Sequence, residues 1–259
     1  MELSEEQFRR YARHLILDEV GEEGQEKLLQ SRVLVIGAGG LGSPMLMYLA
    51  AAGIGTIGIV DNDHVDITNL QRQIVHATSH IGDLKVESAK DSMRRINDGI
   101  RIETHSVRLD ADNARDLVAG YDLVADGSDN FTTRYLLNDV CTELRKPLVA
   151  GALSPFEGQL STFKAYLGDG HPCYRCLFRE PPPPGLVPRC EEAGILGAVA
   201  GVVGTLQAVE VLKEVLGLGD SLDGTLLLYD ALRVRFHRIR IGKDPECPTC
   251  RVAAVAAHA

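Results

Sequence analysis

Apolar positions in the first 150 residues fall into short, nearly continuous runs separated by segments with helical spacing. The runs predict buried strands over residues 32–37, 56–61, 101–109, 121–129 and 146–153. The intervening segments predict helices over residues 43–53, 83–97, 111–120 and 130–145, and another helix precedes the first strand at residues 3–17. Ser4 and Asp83 are the expected N-caps of their helices, and Gly53 is expected to end the helix in which it lies.

This order of elements decides the predicted fold class. Strands that alternate with helices predict a parallel sheet that is covered on both faces. After Gly151, residues 157–167 and 225–241 alternate apolar and polar side chains and predict antiparallel strands at the far end of the sheet. Between them, residues 180–194 are proline-rich and predict an irregular loop, and residues 195–217 predict a buried core helix. We therefore expect an α/β, Rossmann-like, mostly parallel sheet with helices on both faces and an antiparallel C-terminal extension.

Composition narrows the class of protein. The chain has 259 residues, of which 45% are hydrophobic and 24% charged, and its formal net charge is −9. This acidic balance argues against a generic nucleic-acid-binding surface. The N-terminus lacks the basic start and apolar core of a signal peptide, and no apolar run suggests a membrane span. We expect a cytoplasmic protein that binds neither nucleic acid nor membranes.

Four of the six cysteines form two Cys-x-x-Cys pairs, at Cys173, Cys176, Cys247 and Cys250. Two such pairs predict a small zinc lobe with a closed, tetrahedral, structural site, because four thiolates leave no position for a catalytic water. A pair of redox-active dithiols is the alternative. Cys141 lies on the apolar face of a predicted helix and is expected in the core. Cys190 stands alone after the proline-rich loop, where a thiol role and an incidental loop cysteine are equally open.

The sequence GAGGLG follows the first predicted strand and opens a helix. Its glycines Gly37, Gly39 and Gly42 fit the pattern G-x-G-x-x-G, which lets the backbone turn tightly and approach a phosphate at a helix N-terminus. Asp61 ends the next strand, where an acid that binds a ribose is expected. The motif therefore predicts a nucleotide site, and a tight turn without a ligand is the alternative.

Polar and charged side chains follow Asp61 in a pattern that NAD binding does not require. Asn69, Gln71, Arg72 and Lys85 come next along the chain, and two of them are cations that suit a triphosphate. The alternative for these two cations is that the arginine lies in a solvated loop and the lysine on a helix surface.

A later strand ends in DGSDN, which places Asp126, Asp129 and Asn130 at the edge of the sheet that lines the ligand crevice. A carboxylate in this position can hold Mg²⁺ against phosphate oxygens, and Asp129 is the candidate. The alternative is that Asp129 caps the helix that starts at Asn130.

Nine segments of the chain resemble the MoeB/ThiF family, the bacterial relatives of ubiquitin-activating enzymes. They are RYARHLIL (10–17), VLVIGAGGLGSP (33–44), IVDND (59–63), TNLQRQ (68–73), GDLKVESA (82–89), DGSDN (126–130), HPCYRC (171–176), CEEAGILG (190–197) and CPTC (247–250). They occur in the family's order and cover almost the whole chain. Together they are far more specific than the glycine turn alone.

The resemblance implies an adenylyltransferase that joins AMP from ATP to the C-terminal Gly-Gly carboxylate of a ubiquitin-like sulfur carrier. It implies that the nucleotide is bound by Gly37, Gly39, Gly40, Gly42, Asp61, Asp63, Asn69, Gln71, Arg72, Lys85, Asp129 and Asn130. Among these, Arg72, Lys85 and Asp129 match catalytic positions, and Asp129 matches the Mg²⁺ ligand. Arg13 matches an arginine that reaches the ATP of the other subunit in a homodimer. Cys190 matches a cysteine that takes the carrier's acyl group or a persulfide in parts of the family.

The resemblance also implies that residues 1–259 form one domain whose successive segments have different roles. Residues 1–30 form an N-terminal helical segment, residues 31–151 the nucleotide-binding core, residues 152–250 the carrier-binding and zinc-containing part, and residues 251–259 a loose tail. Sulfur is expected from a separate donor, a cysteine desulfurase or a rhodanese. An NAD-dependent oxidoreductase and a carrier-binding relative without activity are the rival functions.

Overall fold

The structure, a computed structural model, describes residues 3–183 and 193–250. Its strands are β1 Arg32–Ile36, β2 Thr56–Val60, β3 Arg101–His105, β4 Leu123–Asp126, β5 Leu148–Leu153, β6 Glu157–Phe163, β7 Thr225–Asp230 and β8 Arg235–Arg240. They form one sheet in the order β3-β2-β1-β4-β5-β6-β7-β8. The first five strands in this order, β3, β2, β1, β4 and β5, are parallel to one another. Strands β6, β7 and β8 continue the sheet from β5, and each pairs antiparallel with the strand before it. The predicted parallel sheet with an antiparallel C-terminal extension is confirmed.

Helices cover both faces of this sheet, as predicted. They are α1 Glu5–Arg10, α2 Ala12–Leu15, α3 Gly21–Gln30, α4 Gly42–Ala52, α5 Lys85–Ile96, α6 Ala114–Ala119, α7 Phe131–Glu143, α8 Tyr174–Leu177 and α9 Gly197–Leu216. Helices α4, α5 and α9 pack together on one face, and α6 and α7 pack on the other. Within the described ranges, no helix is long and apolar enough to span a membrane.

Strand β1 shows why the sequence pattern is continuous and not alternating. Val33 and Val35 point into the core under α4 and α5, and Leu34 and Ile36 into the core under α6 and α7. All four are buried. A strand that is covered on both faces needs apolar residues at every position.

The predicted N-terminal helix over residues 3–17 is wrong in its extent. Ser4 caps α1 as expected, with its Oγ accepting a hydrogen bond from the Gln7 backbone N–H, but α1 ends at Arg10 and a second short helix follows. Tyr11 separates them because its ring is buried and its hydroxyl accepts a hydrogen bond from Asn97, 2.9 Å away. Its side chain occupies the space that a Cβ on Gly53 would fill, at 2.5 Å.

Asp83 is not a helix cap, which corrects a second prediction. Helix α5 begins at Lys85, and Leu84 is its N-cap without any capping side chain. The backbone of Asp83 is used elsewhere, because its carbonyl accepts a hydrogen bond from Val65 and its N–H donates to His80. Gly53, by contrast, ends α4 in a left-handed conformation with φ of 85°, as predicted.

Helix α9 confirms the predicted buried helix of the second half. Its residue Glu210 is buried and accepts hydrogen bonds from the Thr162 hydroxyl at 2.9 Å and the Leu222 N–H at 2.7 Å. Lys213 donates to the other carboxylate oxygen at 2.5 Å. These bonds fasten α9 to β6 and to the segment before β7. The predicted proline-rich loop, 180–194, lies mostly outside the described residues.

Candidate functional site

The glycine turn lies where the strand order of the sheet reverses. Strand β1 lies between β2 and β4 in the sheet, so the connections that leave β1 and β4 run in opposite directions. Gly37 directly follows β1 with φ of 90°, a conformation that favours glycine. A Cβ on Gly37 would lie 3.1 Å from the carbonyl oxygen of Gly127, which follows β4. The predicted turn and the DGSDN loop therefore meet at the topological switch point, where ligands of open α/β sheets bind.

Close backbone approach explains the other glycines of the turn. A Cβ on Gly42 would lie 1.9 Å from the Gly37 carbonyl oxygen, so no side chain fits there. A Cβ on Gly40 would contact Ala200 of α9 at 3.2 Å and the side chain of Arg72 at 3.8 Å. The turn is thus enclosed by the loop that carries Arg72 and by the first turn of α9.

The carboxylate of Asp61 holds the glycine turn by binding a backbone N–H of the turn. Its carboxylate accepts hydrogen bonds from the Ala38 N–H at 2.8 Å and from the Asp63 N–H at 2.9 Å. Burial raises the pKa of Asp61, while the charge of Lys85 and the two N–H groups act in the opposite direction. The carboxylate is therefore oriented at the end of β2, next to the glycine turn, and its predicted contact with a ribose stays a prediction.

Lys85 is buried, which contradicts the alternative that it is a helix-surface charge. It is the first residue of α5, its residue exposure is 6%, and its Nζ donates to the Asp63 carboxylate over 2.9 Å. Its charge also acts on Asp61. A buried ammonium held by one partner at the end of β2 is placed beside the turn, and a phosphate could take over from Asp63 as its partner.

The loop after β2 brings the remaining predicted residues around the turn. The guanidinium of Arg72 donates to the Thr68 carbonyl at 3.0 Å, and the Arg72 Cγ lies 3.8 Å from the position that a Cβ on Gly40 would take. Asn69 accepts a hydrogen bond from the Asp66 N–H at 3.3 Å and so helps to form the short helical turn Ile67–Asn69. Gln71 is exposed. Its backbone carbonyl oxygen lies at the start of α9, 2.1 Å from the position that a Cβ on Gly197 would take.

Asn130, not Asp129, caps α7. The Asn130 Oδ1 accepts a hydrogen bond from the Thr133 N–H at 2.9 Å, so the alternative that Asp129 is the cap is wrong. Asp129 is exposed and has no hydrogen bond or ion pair with any residue that the structure describes. Its carboxylate is therefore available to a ligand at the end of β4, which fits an Mg²⁺ ligand.

Two buried polar side chains organise the loop after β4. Asp126 is fully buried and accepts a hydrogen bond from the Ser128 N–H at 2.8 Å. Burial raises its pKa, and the charge of Arg134 opposes this. Gln207 of α9 donates to the carbonyls of Asp126 at 2.8 Å and Val149 at 3.0 Å. Gln207 thereby joins the second half of the chain to the last residue of β4 and to the beginning of β5, and no sequence motif indicated it.

His76 is a further buried side chain that touches the glycine turn. Its Nε2 lies 2.9 Å from the Ala38 carbonyl oxygen, and its Nδ1 lies 2.9 Å from the Ser88 hydroxyl. Burial lowers the pKa of His76 to about 4, and the charges of Lys85 and His80 act in the same direction. A lone histidine in a loop gives no sequence signal of such a contact.

We expect the lowered pKa of His76 to appear as pH-dependent stability. The unfolded chain gains a proton at His76 below pH of about 6.5, whereas the folded chain resists protonation down to pH of about 4. This contribution is therefore complete above pH of about 6.5 and is lost as the pH falls toward 4. Between pH 7 and pH 4, the difference in free energy of unfolding between wild type and His76→Gln should shrink by about 3 kcal/mol. Urea titrations at each pH measure it, and a constant difference would contradict the buried neutral histidine.

Arg13 is not joined to the turn by any contact of this chain. It lies on α2, it is exposed, and it has no hydrogen bond or ion pair within the described residues. Its neighbour His14 is tied down, because the His14 Nδ1 lies 2.8 Å from Gln25 Oε1 and Gln25 Nε2 donates to the Ala52 carbonyl at 3.0 Å. The helix that bears Arg13 is thus held firmly while the guanidinium projects outward, and its role toward another subunit stays a prediction.

A family of known proteins shares these segments. The model of the ThiF family matches residues 11–249. The chain belongs to the ThiF family. The match includes the glycine turn, the loop with Arg72, the Asp129 loop and three of the four paired cysteines, so it confirms the family that the nine sequence segments indicated.

Relatives in the ThiF family resemble the chain over nearly its whole length. It is 48% identical over 252 residues to the sulfur carrier protein adenylyltransferase of Thermus thermophilus, covering 96% of this chain and 93% of that protein. It is 50% identical over 250 residues to the SAMP-activating enzyme E1 of Haloferax volcanii, covering 96% and 91%. It is 51% identical over 247 residues to the probable adenylyltransferase/sulfurtransferase MoeZ of Mycobacterium tuberculosis, covering 95% of this chain but 63% of MoeZ.

Solved structures agree on the ThiF-type fold. The crystal structure of Escherichia coli MccB with MccA-N7isoASN superposes with a TM-score of 0.80 at 21% identity, covering 96% of this chain and 75% of that chain. MccB with ATP superposes with a TM-score of 0.77 at 18% identity, covering 96% and 82%. At these identities the likeness extends to the fold only.

The four paired cysteines of the chain lie together in one largely buried cluster. The sulfur atoms of Cys173, Cys176, Cys247 and Cys250 all lie within 4.8 Å of one another. The distances are 3.4 Å for Cys173–Cys247, 3.4 Å for Cys176–Cys250 and 3.9 Å for Cys173–Cys176. Tetrahedral zinc with sulfur ligands at about 2.3 Å requires sulfur atoms about 3.8 Å apart. The cluster is compatible with zinc, and it brings together pairs that are 74 positions apart.

The surroundings of the cluster also fit a metal. Hydrogen bonds from the Cys173 and Cys250 thiols hold the pKa of Cys176 well below its usual range. Asp139 joins the segments that carry the two pairs to α7, since it accepts hydrogen bonds from Arg175 at 2.7 Å and from the Thr249 hydroxyl at 2.8 Å. Cys141 is buried in the core as predicted, and Cys190 lies outside the described residues.

Proposed function

We propose that this chain uses ATP to adenylate the C-terminal carboxylate of a ubiquitin-like sulfur-carrier protein ending in Gly-Gly, and releases pyrophosphate. The observation that carries the proposal is the grouping of Lys85, Arg72 and Asp129 around a glycine turn that Asp61 holds in place. The relatives add weight, since two of them are named as a sulfur carrier protein adenylyltransferase and a SAMP-activating enzyme E1.

The chemistry of the reaction suits a site of this composition. The attacking carboxylate is already ionised at neutral pH, so no general base is needed. The obstacle is the repulsion between the carboxylate and an anionic α-phosphate, together with the need to hold the reacting atoms in line. Lys85 and Arg72 supply positive charge beside the turn, and backbone N–H groups of Gly39 and its neighbours bind phosphate oxygens without adding charge. Asp61 orients the turn and accepts from the ribose.

Mg²⁺ fits the loop after β4. The carboxylate of Asp129 is exposed, carries a hard oxygen ligand and has no partner among the residues that the structure describes. Mg²⁺ bound here would neutralise charge on the phosphates. Asn130 caps α7 and Asp126 holds the Ser128 N–H, so both keep the Asp129 loop in its conformation.

The proposal extends to the partners of the reaction. The four-cysteine cluster holds structural Zn²⁺, residues 152–250 bind the carrier, and a separate cysteine desulfurase or rhodanese supplies the sulfur. Arg13 completes the ATP site of the other subunit in a cytoplasmic homodimer. Cys190 takes a thiol role after adenylation, or none. The carrier belongs to a molybdopterin, thiamin or tRNA thiolation pathway.

The test is ATP–pyrophosphate exchange with Mg²⁺ and purified carrier proteins from these three pathways. Each carrier is compared with a version that lacks its terminal Gly-Gly. We expect exchange with at least one intact carrier and none with its truncated version, because the carboxylate must reach the α-phosphate. The carrier with the highest kcat/KM identifies the pathway.

Two results would contradict the proposal. Exchange that persists with truncated carriers would mean that the terminal carboxylate is not the nucleophile. The absence of exchange with every carrier, from folded protein containing zinc, would favour a relative that binds carriers without adenylating them. An NAD titration would then examine the oxidoreductase alternative.

A further inference from the structure

A chain of polar side chains leads from the surface of α5 to the glycine turn. Asp91 of α5 is half-exposed, and its carboxylate lies 3.3 Å from His80 Nε2. His80 Nδ1 lies 3.0 Å from the Ser88 hydroxyl, which in turn lies 2.9 Å from His76 Nδ1. His76 Nε2 reaches the Ala38 carbonyl oxygen at 2.9 Å. Asp91, His80, Ser88 and His76 thus form one continuous relay, the Asp91–His76 chain.

The direction of each hydrogen bond follows from the last member of the Asp91–His76 chain. A carbonyl oxygen only accepts, so His76 Nε2 carries the proton that binds Ala38. The neutral imidazole then has its lone pair on Nδ1 and accepts from the Ser88 hydroxyl. Ser88 in turn accepts from His80 Nδ1–H, and His80 Nε2 lies beside the Asp91 carboxylate. This assignment agrees with burial lowering the pKa of His76 to about 4.

The Ala38 carbonyl matters because of the N–H on the other end of its peptide group. The chain has no cis peptide bond within the described residues, so the Ala38 C=O and the Gly39 N–H point in opposite directions. His76 draws the carbonyl toward the core under α5. The Gly39 N–H consequently faces away from that core, and it makes no hydrogen bond to any residue that the structure describes. Asp61 fixes the preceding peptide group by accepting from the Ala38 N–H at 2.8 Å.

We propose that His76 is a positioning residue that aims the Gly39 N–H at the phosphates of the nucleotide, and that Ser88 and His80 hold the His76 ring in the orientation this requires. The inference deepens the proposed function and rests on it only in that the turn binds ATP. It does not depend on the carrier protein. His76 itself does not contact the nucleotide and acts through the Ala38–Gly39 peptide group.

Two substitutions of His76 separate its two ring nitrogens. His76→Gln places an amide N–H donor near the position of Nε2 and can keep the bond to Ala38. His76→Asn is too short to reach that position and keeps polar atoms near Nδ1 only. His237→Asn, on the exposed strand β8, serves as the matched control for a change of histidine to asparagine.

The measurement is the calorimetric affinity for Mg²⁺–ATP and for adenosine, without a carrier protein. His76→Asn should weaken ATP binding about tenfold, because the Gly39 N–H no longer meets a charged oxygen in good geometry. Adenosine binding should change less than about twofold, since adenosine has no phosphate. His76→Gln and His237→Asn should both stay within about twofold of wild type for ATP. A merely structural role of His76 would weaken both ligands together.

A spectroscopic measurement tests the proposal if the His76→Asn variant does not fold. Imidazole ¹⁵N spectra of the wild type should show His76 as the neutral Nε2–H tautomer from pH 6 to 8, and Ser88→Ala should shift the Nδ1 resonance toward that of a nitrogen that accepts no hydrogen bond. The proposal is overturned if ATP and adenosine lose affinity equally, if Gln behaves like Asn, or if Ser88→Ala leaves the His76 Nδ1 resonance unchanged. Failure of every carrier in pyrophosphate exchange, with these ATP results intact, would overturn the proposed function and leave the positioning role standing.

Discussion

Replacing Asp129 by alanine is expected to lower Mg²⁺-dependent ATP–pyrophosphate exchange by about 10³-fold and to leave the fold unchanged. The loss is large because a metal-bound carboxylate stabilises charge that no neighbouring side chain can replace. The fold should survive because Asn130, not Asp129, caps α7, and because Asp129 is exposed and has no hydrogen bond within the described residues. The measurement is the exchange rate at saturating ATP over a range of Mg²⁺ concentrations.

Asp116→Ala provides the matched control for this loss of a carboxylate. Asp116 is an exposed acid in the first turn of α6, on a helix that the proposed site does not use. The control should exchange at the wild-type rate and melt within about 2 °C of wild type. An Asp129→Ala protein with a normal exchange rate would remove Asp129 from the mechanism. A drop in melting temperature of several degrees would instead point to a structural role for the carboxylate.

Replacing Cys247 by alanine is expected to abolish stoichiometric zinc binding and to lower the free energy of unfolding by about 4 kcal/mol or more. Four sulfur atoms lie within 4.8 Å of one another, and three of the cysteines are buried, so the remaining thiolates would have no counter-charge without the metal. For a chain of this size the melting temperature should fall by about 10 °C. Zinc is counted by mass spectrometry, and stability is followed by thermal unfolding.

Cys141→Ala is the control for the loss of a buried cysteine. Cys141 is 2% exposed in the core under α7 and lies outside the cluster. The variant should keep one zinc per chain and lose only about 1 kcal/mol of stability. One full equivalent of zinc in Cys247→Ala would exclude the four-cysteine site. A cluster that resists chelators but yields to a reductant would instead favour the redox alternative.

The sequence pattern predicted those features of the site that belong to one short segment. The glycine turn, Asp61 at the end of β2 and the loop after β4 follow from their positions relative to strands. Parallel strands bring their carboxyl ends to the same edge, so these segments had to meet once the sheet was predicted. The cysteine pairs were recognisable because chelation imposes a fixed spacing within each pair.

Boundaries and caps were predicted less well, and the reasons are local. The alternative that Asp129 caps a helix starting at Asn130 is wrong because α7 begins one residue later, at Phe131, and the Asn130 side chain accepts from the Thr133 N–H. Asp83 has the right side chain for a cap, yet its backbone pairs with Val65 and His80. The first helix is divided because Tyr11 packs against Gly53 and Asn97, and neither contact is visible in the local pattern.

The sequence by itself determined that this chain is a ThiF-type α/β protein with a glycine turn after its first strand, cations farther along the chain and two Cys-x-x-Cys pairs. Only the tertiary structure decided that Lys85 is buried against Asp63, that Gln207 joins α9 to the end of β4 and to β5, and that His76 reaches the Ala38 carbonyl. Each of these contacts joins residues at least 22 positions apart. Such contacts leave no periodicity and no fixed spacing along the chain, because packing of separate elements creates them and the sequence constrains each partner only at its own position.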